Sequence, residues 1–315
     1  MADAVRPREF AALRSVCPEH PGTPMPFTVS HIAAVLPMQG GTRTGVGERR
    51  GPLVASALVF GAMAPDVVLF VDFGFLPFAV DRPQTHGVVP GVLLYDLALT
   101  AIAVAVWHLL LLRPLLALLP DALRARIEQP LLPRLPAELR AARREGRPVR
   151  PELLGAAGWF TVSAWLGALT HVGWDAWTHH HDPGVAHVAP WLREPSFLPD
   201  GRPWFSVLQY TSTFVGLIAI AWWGARRCAA LPAHPPTAPR LPVPWRVAIL
   251  AALTLAGVFG AVRTTRQYVG QPFDVVGFYI ATGFGRWAAA AVVMYAAVWL
   301  LWPAARGHAN RARQS

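Results

Sequence analysis

"GWFTVSAWLGALTHVGWDAWTHHH", Gly158–His181, is an apolar run that closes on histidines and an aspartate. Its greasy part belongs to the segment 153–171, close to the ~20 residues a membrane-spanning helix needs. Read as helix, His171, Asp175 and His179 follow one another at intervals of four. Residues i, i+4 and i+8 drift slowly round one face, so three groups of metal-ligand type converge on one side. If the helix ends at Thr178, His180 or His181 could take the place of His179.

The same apolar character recurs along the chain at 53–73, 88–112, 206–225, 247–262 and 283–302. Of the 315 residues 54% are hydrophobic and only 15% charged, against about 25% charged in soluble domains. The expected fold is all-α, a polytopic membrane helical bundle of about six transmembrane helices. The net charge is +10, and all of the positive charge comes from arginine. Twenty-two arginines fall in 1–52, 113–152, 226–246 and 303–315, and five in 74–87, 172–205 and 263–282. That alternation argues against a nucleic-acid surface and for both termini in the cytoplasm.

The expected organisation has a flexible tail over 1–24 and a membrane core over 25–225. A Pro-rich cytoplasmic connector over 226–246, a transmembrane pair over 247–303 and a basic tail over 304–315 follow. Loop 113–152 reads either as amphipathic helices on the inner leaflet or as a solvated basic linker. Cys17 and Cys228 form no paired motif, and no disulfide framework is expected. Membrane lipids are the expected partners; no nucleic acid is.

Asp66 and Asp72 lie inside an apolar segment, and Pro65 interrupts the helix directly before Asp66. A carboxylate in hydrocarbon usually marks a function or a partner, although a capping Asp at the break is the plainer alternative. His86 stands just before the second apolar segment, on the same face as His171, Asp175 and His179. His31, in "MPFTVSHIAAVLP", conflicts with this. Simple counting leaves it on the cytoplasmic side, unless 13 residues too short to span enter partway as a re-entrant segment, or 53–65 and 67–80 are two short helices; a capping or packing role for His31 is the third reading. Asp96 reads as a partner orienting a ligand histidine or as a satisfied interior residue. Arg286 reads as snorkelling or paired with Asp274. Trp174 and Trp177 read as interface anchors.

"MPFTVSHIAAVLP", "SALVFGAMAPDV", "THGVVPGVLLYDLAL" and "GALTHVGWDAWTH", in that order, resemble the DUF4184 family of bacterial membrane proteins over about residues 25–225. A remoter likeness runs to membrane-bound metal-dependent hydrolases of the YdjM type, and to zinc-dependent phospholipase C and P1 nuclease. Their ligand order is similar to His31, Asp66, His86, His171, Asp175 and His179. The resemblance implies a divalent metal site, with zinc the expected ion, in a bacterial inner membrane. Those enzymes carry a further His-x-x-x-Glu/Asp pair, whereas here His187 is followed by Trp191.

Metal-activated water could attack a phosphoester or lipid-like ester near the outer face, with Asp66 or Asp175 as general base. No Gly-x-Ser-x-Gly elbow or phosphate-binding glycine loop is present, which disfavours serine hydrolysis and nucleotide-driven chemistry. Two rivals stay open: a non-enzymatic membrane protein with a structural metal or polar cluster, and a small-solute transporter.

Overall fold

The computed structural model describes residues 28–41, 52–71, 80–133, 135–179, 187–237, 241–271 and 273–301. The two expected tails, Cys17, Asp72, His180 and His181 lie outside them, and so does the side chain of Asp274. In chain order the helices are α1 (Ile32–Val35, entered through a 3-10 turn at Thr28–His31) and α2 (Ala55–Gly61, followed by a 3-10 turn at Ala64–Leu69). Next come α3 (Arg82–Thr85), α4 (Val88–Leu118), α5 (Asp121–Leu131), α6 (Leu135–Arg144) and α7 (Val149–Thr178). The last are α8 (Trp204–Ala230), α9 (Val243–Thr265) and α10 (Phe273–Leu301).

Five helices among the described residues are long and apolar enough to cross a membrane: α4, α7, α8, α9 with its 3-10 extension, and α10 from Val275. They expose large side chains such as Leu109, Phe214, Ile218, Val258 and Met294. A surface so rich in apolar side chains suits lipid and not water. The fold is an all-α, multi-pass membrane bundle.

The boundaries follow from proline. Pro148, Pro203 and Pro242 immediately precede α7, α8 and α9, each with extended ψ. A proline has no N–H to satisfy, and the first turn of a helix asks for none. Loop 113–152 resolves in favour of helices, α5 and α6. The Pro-rich connector is fastened to α5: Arg126 Nη1 donates to Leu231 O at 2.6 Å, and the His234 N–H donates to Ala125 O at 2.7 Å. Glu128 accepts from the Thr237 N–H at 2.8 Å.

The first expected span, 53–73, is not one long helix. α2 covers seven residues, turns at Ala62–Met63 and continues as the 3-10 turn carrying Pro65 and Asp66. A helix of that length rises only about 10 Å. It runs parallel to α7 along the latter's C-terminal half. The Val54 N–H donates to Ser163 Oγ at 2.9 Å, Leu58 backs on Gly167, and Ala62 O meets His171. The α1 segment closes the other side, with Val35, Leu58 and Ala62 in one core backed by Ile32, Met38 and Leu166.

Glycine permits this approach. A Cβ on Gly167 would overlap Leu58 O and the Ala62 nitrogen, and one on Gly61 would overlap Ala164 O. Gly257 and Gly260 similarly admit Phe284 and Trp287 between α9 and α10. Because the obstructing atoms at Gly167 are backbone, Gly167→Ala is expected to destabilise the folded protein by about 1–3 kcal/mol. Gly173→Ala, with nothing within 4 Å of the added carbon, should leave denaturation in detergent unchanged.

Candidate metal centre

The buried side chains of α7 are Ser163, Ala164, Gly167, Ala168, His171, Asp175 and Thr178, a stripe of threes and fours. Gly167 admits the α2 backbone, and one turn later His171 reaches the end of that helix. The break before Pro65 leaves the Ala62 carbonyl free, and His171 Nδ1 donates to it at 2.8 Å. A carbonyl can only accept, so Nδ1 carries the proton and Nε2 keeps its lone pair.

The same device recurs at His86. Its Nδ1 lies 3.2 Å from Arg82 O and 3.1 Å from Thr85 Oγ1. Thr85 Oγ1 in turn donates to Pro65 O at 2.8 Å, tying α3 to the turn that bears Asp66. On that turn Asp66 Oδ2 accepts from the Thr28 hydroxyl at 2.8 Å, which leaves Oδ1 facing the histidines.

Four ligand atoms thus meet, one each from Asp66, His86, His171 and Asp175, all within 4.8 Å of one another. His171 Nε2 stands 3.5 Å from Asp66 Oδ1 and 3.4 Å from Asp175 Oδ2. His86 Nε2 stands at 3.5 and 3.4 Å from the same two oxygens. Charge-assisted N–H···O bonds close to about 2.7–2.9 Å, so these pairs are too far apart for ordinary bridges. Ligand atoms held tetrahedrally about 2.1 Å from one zinc ion lie about 3.4 Å apart; four of the six separations here are 3.4–3.5 Å and all six stay within 4.8 Å. The Nε2 atoms of His31, His86 and His171 and Asp175 Oδ1 are buried without a hydrogen-bond partner. The donor set therefore fits a divalent cation, in one buried His/Asp cluster.

His31 belongs to this cluster and not to the opposite face. Its ring stacks on His171 with centroids 3.8 Å apart, and Nε2 lies 3.5 Å from Asp175 Oδ1. Burial and the adjacent His171 push its pKa down to about 4, which keeps the imidazole neutral. Burial works against charge on Asp66 too, but His171 and His86 hold its carboxyl well below the usual range. Burial opposes protonation of His86, yet the Asp175 and Asp66 carboxylates raise it above the ordinary imidazole value.

His179 lies beside the four atoms. α7 ends at Thr178, but His179 stays buried, with Nδ1 3.2 Å from Asp175 O and 3.6 Å from Asp175 Oδ2. Its Nε2 sits 3.4 Å from Gln209 Nε2 on α8. His187 is exposed and takes no part. Asp96 orients no histidine: both its carboxylate oxygens, and Thr100 Oγ1 one turn on, are buried without a hydrogen-bond partner. Arg286 is exposed and its Nε donates to Leu69 O at 2.7 Å, a partner the sequence reading did not name. Trp174 is partly exposed, with Nε1 donating to Ser212 Oγ at 3.1 Å.

Four participants escaped the sequence reading: Thr28, Arg82, Thr85 and Gln209. Arg82 had one available signal. It is the lone arginine of the 74–87 gap and stands four residues before His86. Its Nη2 lies 3.7 Å from Asp175 Oδ2.

A family described as "Domain of unknown function (DUF4184)" matches residues 25–297, and the chain belongs to it. The match takes in α9 and α10, beyond the segment whose motifs carried the resemblance. No curated protein matches, and no solved structure does.

The cluster is expected to bind a divalent ion stoichiometrically, and a folded His171→Ala/Asp175→Ala double variant to lose it, measured by mass spectrometry of the purified protein in detergent. His86 holds its proton to higher pH than an ordinary imidazole, and the incoming ion must expel it. Affinity should therefore fall as pH drops, by up to about tenfold per unit for each displaced proton. Calorimetry in two buffers of different ionisation enthalpy would detect the release; pH-independent binding would contradict this account.

Proposed function

We propose that this family member is a membrane-embedded metal-dependent hydrolase, with zinc the best-matched ion, acting on a phosphoester or lipid-like substrate near the outer face of a bacterial inner membrane. The observation that carries the reading is the set of partnerless imidazole Nε2 atoms facing two carboxylates at 3.4–3.5 Å. Asp66, His86, His171 and Asp175 would hold the ion, with His31 and His179 flanking it. When bound, such an ion lowers the pKa of water and polarises a phosphoryl oxygen.

The chain's own groups do the remaining work. The Ala62 and Arg82 carbonyls hold the His171 and His86 tautomers. Thr28 occupies Asp66 Oδ2, so Asp175 Oδ1 is the better placed oxygen to accept a proton. In hydrolysis the water oxygen forms the new P–O bond and one ester P–O bond breaks. One water proton goes to Asp175 Oδ1 and then to the leaving oxygen, which restores the carboxylate. His31 Nε2, 3.5 Å from that oxygen, stabilises the transient acid.

The arginine pattern supports the orientation. Segments 113–152, 226–246 and 303–315, which in sequence adjoin the ends of the long helices away from the cluster, carry sixteen arginines. The cluster then faces outward and the C-terminus lies in the cytoplasm. With five long helices after residue 87, a cytoplasmic N-terminus requires one net crossing by the chain before His86. A reporter fused within 113–152 should read as cytoplasmic; a periplasmic signal there would overturn the orientation.

A second reading has one observation in its favour. Four protein ligands equal the number that closes a structural zinc site, whereas catalysis needs an open position. The deciding assay incubates metal-loaded protein with phospholipids and soluble phosphodiesters. Folded Asp175→Asn should lose about 10²–10⁴-fold in turnover. Equal, low turnover in wild type and variant would leave the structural role.

A further inference from the structure

We propose that residues 187–203, which lead into α8, are seated in the headgroup layer of the membrane on the side of the metal centre, and that their partner is lipid and not another protein. The inference holds whether or not the cluster hydrolyses anything.

The level of this segment is fixed by its bonds to α8. The Trp204 N–H donates to Glu194 O at 3.2 Å, and Pro195 pairs with Pro203 in an antiparallel bridge. Ala189 and Leu192 are buried with Phe205, and Trp204 packs on all three. Phe197 meets the Trp204 ring edge-on, with centroids 5.1 Å apart. The apolar run of α8 covers 206–225, so Trp204 stands two residues outside it, a rise of about 3 Å. Headgroups extend roughly 5–8 Å beyond the hydrocarbon on each side. The metal centre is close by, since Gln209, five residues beyond Trp204, reaches His179.

The side chains presented at that depth are apolar. Val188, Trp191 and Phe197 are 69, 60 and 80% exposed. They carry on a surface that the fold already turns to lipid. On α8, positions 204, 215 and 222 fall on one line of the helix, and Val215 and Trp222 are exposed. Aromatic rings are at home where hydrocarbon meets headgroups.

The backbone distinguishes lipid from water. A loop in water can leave its donors to the solvent, whereas irregular backbone at membrane depth must satisfy them internally. Pro190, Pro195, Pro199 and Pro203 carry no N–H at all. The N–H groups of Leu192, Glu194, Ser196, Leu198, Gly201 and Arg202 all find acceptors within the segment. Charge is muted as well. Arg193, Glu194, Asp200 and Arg202 sum to zero, and Arg202 Nε donates to Asp200 Oδ2 at 2.6 Å. Nothing in that balance asks for an anionic headgroup, so the attraction is apolar.

The test places a nitroxide on the segment. Trp191→Cys and Phe197→Cys are made separately in full-length protein carrying Cys17→Ser and Cys228→Ser, labelled, and returned to phosphatidylcholine vesicles. Both side chains are mostly exposed, so the fold does not rest on them. Oxygen concentrates in lipid and a nickel chelate stays in water, and collision with each is read by power saturation. Labels at Val215→Cys and at Glu145→Cys, exposed beyond the end of α6, mark lipid and water. At 191 and 197 relaxation by oxygen should exceed relaxation by the chelate, as at 215, with and without zinc. Added anionic lipid should leave both readings unchanged. Chelate-dominated relaxation at both positions, as at 145, overturns the inference and leaves the apolar side chains to a protein partner. Protection that appears only with anionic lipid overturns it too, because the attraction would then be one of charge.

Discussion

Two buried carboxylates set the terms for the rest of the structure. Ligand oxygens of Asp66 and Asp175 lie within 4.8 Å of each other, inside a membrane bundle. Two like charges 4 Å apart repel by on the order of 4 kcal/mol at an effective dielectric of 20. The chain answers only in part, with the Thr28 hydroxyl on one carboxylate and the Arg82 guanidinium near the other. The imidazoles add directed lone pairs, because backbone carbonyls have claimed the Nδ1 protons of His171 and His86. Without a cation, a proton on His86, which both carboxylates favour, offsets only part of their charge. A cation satisfies both, and this is the physical sense in which the cluster is built to take one.

Much of this was legible from Gly158–His181. The period of four that joins His171 to Asp175 is a helical property, and α7 expresses it unchanged. Asp66 stood out because a carboxylate after a proline in an apolar run has few reasons to be there. His31 was harder, since its position depends on how the chain folds before the first long helix. Hydropathy reads a window of residues as if each faced lipid. Within the segment 53–73, the seven-residue α2 is apolar where it packs on α7 through Gly61 and Gly167. Thr28 stands in "MPFTVSHIAAVLP" but has no ligand-type side chain to mark it, and Gln209 reaches His179 only through the packing of α8.

The C-terminal pair looked like packing material in sequence, and the fold gives it a closer relation to the site. A 3-10 turn ends with carbonyls that lack intrahelical donors. Leu69, at the end of the turn carrying Asp66, finds its donor in Arg286 of α10 at 2.7 Å. Beside it Phe70 packs so closely on Gly285 that an added Cβ would lie 2.9 Å from the ring. A charged side chain within an apolar helix thus completes the backbone of the turn that aims a carboxylate. The family match to residue 297 is consistent with that dependence, since a core without α10 would leave Leu69 O unpaired.

Depth links the cluster to the surface it would serve. His171 lies seven residues before the end of α7, a rise of about 10 Å, and Asp175 one turn nearer the end. His86 precedes the first turn of α4. The ligands therefore converge just beneath the ends of two spans, near the level where hydrocarbon gives way to headgroups in a bilayer about 30 Å thick at its core. A site in bulk water would have its carboxylates screened and hydrated. One at the midplane would exclude any charged substrate. At this level the low dielectric would strengthen every contact of an ion held by the cluster. The shortness of α2 serves the position in another way: its turn at Ala62–Met63 leaves the Ala62 carbonyl to take the Nδ1 proton of His171.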